Sequence, residues 1–291
     1  EIAQCLVGSE MCIRDSFNGV KIDNEERLRQ IVDLRKQKPE LKVLLSIGGW
    51  GSGRFSEMAA NDEYRRAFAA DCDRVVKEFA LDGIDIDWEY PTSSMANISS
   101  SPDDTENFTL LMQDIRAAIG NEKELTLATV ASARYIDFKA ILPSVDFVNI
   151  MAYDMASAPK HHSALYPSGH SGDITSDGAV TAHLKAGVPP SKLVMGMPFY
   201  GRGGDGYPSF QDYNKVGNTD TQYTEKWDEV AQVPYLADKN DTLVFGFENP
   251  RSLAIKCQYI LDKDLLGGMY WDYSGAVSYT HLRAHETLSD L

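Results

Sequence analysis

The chain has 291 residues, and its 43 acidic against 28 basic side chains leave a net charge of −15 at pH 7. Binding to a phosphate backbone needs a basic face, and an anionic membrane surface repels a chain of this charge, so nucleic acid and membrane are not expected partners. With 43% apolar and 24% charged residues the composition is that of a globular protein with a sizeable core. No apolar run approaches the roughly 20 residues that cross a bilayer.

Short apolar strands alternate with amphipathic helices from about residue 24 to 275. Residues 24–37 carry Leu28, Ile31 and Val32 at helical spacing until Pro39 stops them, and 42–50 reads as a strand. A helix over 62–80 turns Phe68, Cys72, Val75, Val76 and Phe79 inward, with Asp62 and Glu63 at its positive end. A strand at 81–89, a helix at 103–119 closed by Gly120, and strands at 125–132 and 146–153 follow. A helix near 176–186, a strand at 192–200, a helix at 250–264 opened by Pro250, and a last strand at 265–273 complete the series. The alternation predicts parallel βαβ units with six strands. Residues 203–247 break the rhythm: Tyr207, Phe210, Tyr213, Tyr223, Trp227 and Tyr235 stand among polar and Gly-rich stretches, as in a small α+β insertion before the last strand. Its aromatic residues could wall a groove for a polymer or form the insertion's own core.

The four cysteines, Cys5, Cys12, Cys72 and Cys257, form no CxxC pair and lack a ligand-spaced histidine, so neither zinc nor a disulfide framework is indicated. The N-terminus shows no basic region followed by an apolar one, so no signal peptide is visible. His161, His162 and His170 lie among Ser, Gly and Pro and read as a solvated loop rather than a metal site. Asn97, Asn107 and Asn240 stand in N-x-S/T triplets, which matter only in a glycosylating secretory pathway.

The stretch Leu81-Asp82-Gly83-Ile84-Asp85-Ile86-Asp87-Trp88-Glu89 carries the most chemistry. Side chains alternate along a strand, so Asp85, Asp87 and Glu89 share one face while Ile84, Ile86 and Trp88 share the other. Both faces of a parallel sheet are normally apolar, and three carboxylates on one of them cannot all ionise together. Their titrations spread apart, which suits one carboxyl kept protonated as an acid beside another kept charged. Alternate residues on a strand stand roughly 6.6 Å apart, between the carboxylate separations of retaining double-displacement and of inverting glycosidases, so spacing alone does not choose a mechanism.

This stretch resembles the DGxDxDWE signature of glycoside hydrolase family 18, the chitinases. Ser46-Ile47-Gly48-Gly49 is similar to the family's SxGG strand, Met151-Ala152-Tyr153-Asp154 to its MxYD strand, and Gly267-Gly268-Met269-Tyr270-Trp271 to its last barrel strand. Pro198-Phe199-Tyr200-Gly201-Arg202 is similar to the seventh strand. The resemblance implies a (β/α)8 TIM barrel, here incomplete with about six strands, over residues 17–276, with the 203–247 insertion between strands 7 and 8. It implies that Glu89 is the general acid/base, that Asp87 orients the substrate's 2-acetamido group, and that Asp85 shares a proton with Asp87. Tyr153 would hydrogen-bond the acetamido carbonyl, with Met151 and Asp154 supporting the same sugar site. Trp271 would floor the sugar ring, Trp50 would stack at an outer subsite, and Ser46 would bond the carboxylate cluster. Gly48, Tyr200, Arg202 and Tyr235 complete the substrate-binding set.

The implied activity is endo-hydrolysis of β-1,4-linked N-acetylglucosamine polymers by substrate-assisted, retaining catalysis through an oxazolinium ion. No metal or organic cofactor is needed, the partner is chitin or chito-oligosaccharide, and the enzyme is a monomer. The alternatives are an endo-β-N-acetylglucosaminidase on N-glycan cores and a non-enzymatic chitin-binding or inactive chain. An insoluble polymer cannot enter a cell, so the intact parent is expected to be secreted or periplasmic. Residues 1–16 show no strand–helix–strand pattern, and they and 277–291 resemble translated sequencing-adapter read-through rather than the family's termini. A six-stranded chain is expected to leave open strand edges.

Overall fold

This computed structural model describes residues 4–9, 13–14, 16–17, 20–22, 24–204 and 223–272. The expected tyrosines and phenylalanine at 207, 210 and 213, and the whole 277–291 tail, lie outside the described residues. Parallel strands alternate with helices along the chain, which is the repeat of an incomplete (β/α)8 barrel. The chain divides into two compact units, residues 1–149 with 186–188, and residues 150–185 with 189–291.

In the first unit β1 (Gln4–Ser9), β2 (Lys42–Gly48), β3 (Gly83–Asp87) and β4 (Glu124–Val130) lie side by side, all parallel. β1 is a departure from the sequence reading, which saw no strand there. Its apolar run is three residues long, too short to declare itself, and it is ordered by pairing residue for residue with Lys42–Ile47. β3, which carries Asp85 and Asp87 and leads to Glu89, is flanked by β2 and β4 and is not a solvated edge. Helices α1 (Glu25–Asp33), α2 (Phe55–Ala60), α3 (Asp62–Glu78) and α4 (Asp104–Ile119) follow the strands, with a short α5 (Phe138–Ile141). α3 starts where the Asn61 side chain accepts the Tyr64 N–H at 3.0 Å, and Asp62, Glu63 and Lys77 match its dipole. It buries Phe68, Cys72, Val75 and Val76, while α4 buries Phe108, Leu111, Met112 and Ile115. β5 (Phe147–Met151) begins in this unit.

In the second unit β6 (Leu193–Pro198) pairs in parallel with the last strand, from Gly267 against Val194 to Trp271 against Pro198. Between them in sequence come four antiparallel strands: β7 (Arg202–Gly203), β8 (Thr224–Asp228), β9 (Val233–Ala237) and β10 (Leu243–Gly246), ordered β8-β9-β10-β7. The described residues of the expected α+β insertion form strands and turns, and its residues 205–222 lie outside the described residues. Helix α6 (Ser176–Lys185) precedes β6. Helix α7 (Pro250–Asp262) opens on a reciprocal cap, Asn249 accepting from Ser252 N and Ser252 Oγ accepting from Asn249 N, and β11 (Gly267–Trp271) closes the series. Lys256 of α7 is fully buried and pairs with buried Glu248, while donating to the Ser163 carbonyl at 2.5 Å.

Candidate active site

Asp85, on the central strand of the first unit, is fully buried and hydrogen-bonded by side chains from three other strands, β2, β4 and β5. Ser46 Oγ donates to its Oδ2 at 2.7 Å, Thr126 Oγ1 to its Oδ1 at 2.6 Å, and Asn149 Nδ2 to its Oδ1 at 3.2 Å. Burial pushes its carboxyl above the usual range, and these three donors partly restore the charged form. Asp87, two residues on, lies well above that range, through burial first and then the charges of Glu89 and Asp85. Its Oδ1 is buried with no hydrogen-bond partner among the described residues. Buried polar atoms are ordinarily paired, and Asp87 Oδ1 is one of the exceptions among the described residues, as are Trp88 Nε1 and Thr129 Oγ1.

The two glycines of the SxGG strand have separate tasks. Gly48 faces Asp87 across the sheet so closely that a Cβ would lie 2.1 Å from the Asp87 carbonyl oxygen. Gly49 donates its N–H to the same oxygen at 2.8 Å. Trp88 points to the opposite face, stacked on Phe55 at 5.3 Å and edge-on to Phe108 at 5.5 Å. Trp50 is 63% exposed and edge-on to Tyr90, which stacks on Tyr135 at 5.6 Å.

In the second unit Asp154 gathers a cation and two rings. Arg202 Nε donates to Oδ1 at 2.7 Å and Nη2 to Oδ2 at 2.5 Å, a bidentate pair. His162 Nδ1 stands 3.4 Å from Asp154 Oδ1, with its ring tilted against buried Tyr200. Burial alone would raise the Asp154 carboxyl, but Arg202 and then His162 outweigh it and hold the group below the ordinary carboxylate range. Burial also pushes the Tyr200 hydroxyl upward. Tyr153 packs edge-on to Tyr200 at 6.2 Å, over Gly196, where a Cβ would come within 2.8 Å of the Tyr153 ring. Met151 is half-buried, and Trp271 and Tyr270 are each somewhat under half exposed, with Tyr270 stacked on Phe199 at 4.4 Å.

Two expectations change. Tyr235 is not a groove wall: it is 8% exposed, grouped with Ala237 and Leu243, and set against the rings of His161 and His170. His161 and His162 are buried, not solvated. His161 Nε2 lies 3.2 Å from Asp228, and burial lowers its ring to about 4. Among the described residues no group of three or more His, Cys, Asp or Glu side chains is placed to hold a metal ion. Thr126 and Asn149 were missed by sequence reasoning. For Asn149 the signal is a lone polar residue inside the apolar strand FVNIM, which is costly unless it is used, whereas Thr126 shares its strand with Thr129 and does not stand out.

The family model described as Glycosyl hydrolases family 18 matches residues 10–276. Chitinase A1 of Niallia circulans is 34% identical over 301 residues, covering 85% of this chain and 42% of that protein, so the chain spans less than half of that curated relative. A solved family 18 N-acetylglucosaminidase from Paenibacillus barengoltzii is 31% identical with a TM-score of 0.83, covering 93% of this chain and 88% of the other. The Ostrinia furnacalis Group IV chitinase solved in complex with allosamidin is 27% identical with a TM-score of 0.80, covering 92% and 82%.

Proposed function

The chain belongs to glycosyl hydrolases family 18, as a glycosidase of the chitinase type, and on that premise we propose that it hydrolyses β-1,4-linked N-acetylglucosamine chains by substrate-assisted catalysis. The observation that carries this reading is the unpaired, buried Oδ1 of Asp87 between two further carboxyls. An acetamido N–H supplies the donor that this oxygen lacks, and a sugar without the acetamido group does not.

Glu89 gives its proton to the glycosidic oxygen as the C1–O bond breaks, while the acetamido carbonyl oxygen bonds to C1. The resulting oxazolinium ion carries a positive charge that the Asp87 carboxylate stabilises, its proton passing to Asp85. A water then loses a proton to the Glu89 carboxylate and its oxygen attacks C1, opening the ring with retention. Tyr153 hydrogen-bonds the acetamido carbonyl, and Asp154, Met151, Tyr200 and Arg202 support the same sugar. Trp271 and Trp50 give apolar faces to pyranose rings. The enzyme works as a monomer outside the cell, since its polymer is insoluble, and cleaves within the chain.

A second reading, release of single N-acetylglucosamine units, is favoured by the Paenibacillus barengoltzii neighbour, whose name is that of an N-acetylglucosaminidase. Hydrolysis of an aryl β-chitobioside tests the chemistry, and products from a chito-hexaose, read by mass spectrometry, choose between the modes. The expected results are loss of about 10²-fold or more in Glu89→Gln, no turnover of the matching glucoside, and mixed oligomers from the hexaose. Equal activity in Glu89→Gln would remove the proposed acid; monosaccharide alone would favour the second reading.

A further inference from the structure

Asp104 opens helix α4, well outside the carboxylate strand, and is completely buried. It accepts three hydrogen bonds: Ser56 Oγ to Oδ1 at 2.7 Å, and the backbone N–H groups of Thr92 and Ser101 to Oδ2 at 3.0 and 2.8 Å. Thr92 stands three residues after Glu89 and has φ +61, a left-handed conformation that a β-branched residue adopts only when its surroundings hold it there. The donors to Asp104 thus fix the loop that leaves the carboxylate strand.

The residue before Glu89 is held from the same two helices. Trp88 is 2% exposed and lies between Phe55, the neighbour of Ser56 on α2, and Phe108, one helical turn beyond Asp104 on α4. Ring contacts at Trp88 and a backbone hydrogen bond at Thr92 therefore hold the chain on either side of Glu89. Neither the Asp104 carboxyl nor the Phe55 and Phe108 rings belong to the acidic face.

We propose that Asp104 is a positioning residue, which aims the Glu89 carboxyl by fixing the backbone at Thr92 with Ser56 as its anchor on α2. The proposal rests on the reading of Glu89 as proton donor. A misaimed acid hurts a reaction in proportion to how much the leaving group needs a proton, whereas loss of folded protein lowers every rate alike.

The test compares the full chain with Asp104→Asn, Ser56→Ala and Glu89→Gln on phenyl and 2,4-dinitrophenyl β-chitobiosides, recording kcat, KM and thermal midpoint. Asp104→Asn is expected to lose about 10- to 100-fold in kcat on the phenyl substrate and under about threefold on the dinitrophenyl one, with KM little changed. Ser56→Ala is expected to show the same split, smaller, and it carries the test if Asp104→Asn does not fold. Equal loss on both substrates, or none, in a folded variant would overturn the proposal while leaving Glu89 in place, provided Glu89→Gln itself shows the split. A Glu89→Gln protein without the split would overturn the acid assignment and this proposal with it.

Discussion

Gly48 and the Asp87 carbonyl are in backbone contact: a methyl group on Gly48 would lie 2.1 Å from that oxygen, and φ at Gly48 is +124. Gly49, at φ +104, has open space where its Cβ would stand. The two positions therefore separate crowding from strain. Gly49→Ala is expected to lose about 1 kcal/mol from backbone strain, and Gly48→Ala about 3 kcal/mol or more, because the strand beneath Asp87 must also shift. Urea midpoints of the two variants check the ranking, and the reverse order would remove the packing account of the SxGG motif.

Asp87 links activity to stability through its proton. Its folded carboxyl titrates well above the ordinary value, through burial and the Glu89 and Asp85 charges, so the native state binds a proton that the unfolded chain has released. Stability is then highest below the unfolded carboxylate value and falls as pH rises from there through the folded one. Asp87→Asn removes that dependence. Urea unfolding across pH 4 to 8 is expected to show a variant increasingly more stable than the parent as pH rises, although its activity falls about 10²-fold or more. A pH-independent difference would contradict the raised titration.

The acidic face was legible in the sequence because a strand has period two: one reading of residues 83–89 separates Asp85 and Asp87 from Ile84, Ile86 and Trp88. What Asp85 does with its charge was not legible. Its donors Thr126 and Asn149 are 41 and 64 residues away, and only strand order and register bring them to it. Composition misled at His161 and His162, where Ser, Gly and Pro neighbours suggest a solvated loop. There the backbone pairs back on itself, His161 N donating to His170 O at 2.7 Å, and turns both rings inward. Tyr235 alternates with Leu236 in a strand whose two faces are both covered, so an aromatic count could not tell wall from core.

The Arg202–Asp154 pair is expected to show the opposite pH behaviour to Asp87. Its carboxyl is held below the ordinary range, so its contribution to stability is present above the unfolded carboxylate value and is lost as pH falls through the folded one. Arg202→Met should cost about 1 kcal/mol at pH 7, a modest figure because a third of each side chain remains open to solvent. Denaturant unfolding at pH 7 and at pH 3 checks the sign: the gap between variant and parent should narrow in acid.

Lys256 and Glu248 form an ion pair with both side chains at most 1% exposed, so solvent cannot take over for a missing partner. Glu248 also accepts Ser163 Oγ at 2.6 Å, and Lys256 donates to the Ser163 carbonyl, so the pair pins the residue that follows His162. Removing one charge strands the other in an apolar interior, and Lys256→Met alone is expected to cost about 3–5 kcal/mol. Replacing both, Lys256→Met with Glu248→Leu, removes two desolvated charges together and should recover most of that loss. A double-mutant cycle by urea unfolding measures the coupling, with a strongly non-additive result expected from residues in direct contact. Additive losses would mean that each charge is satisfied by groups other than its partner, and would reduce the pair to two independent core residues.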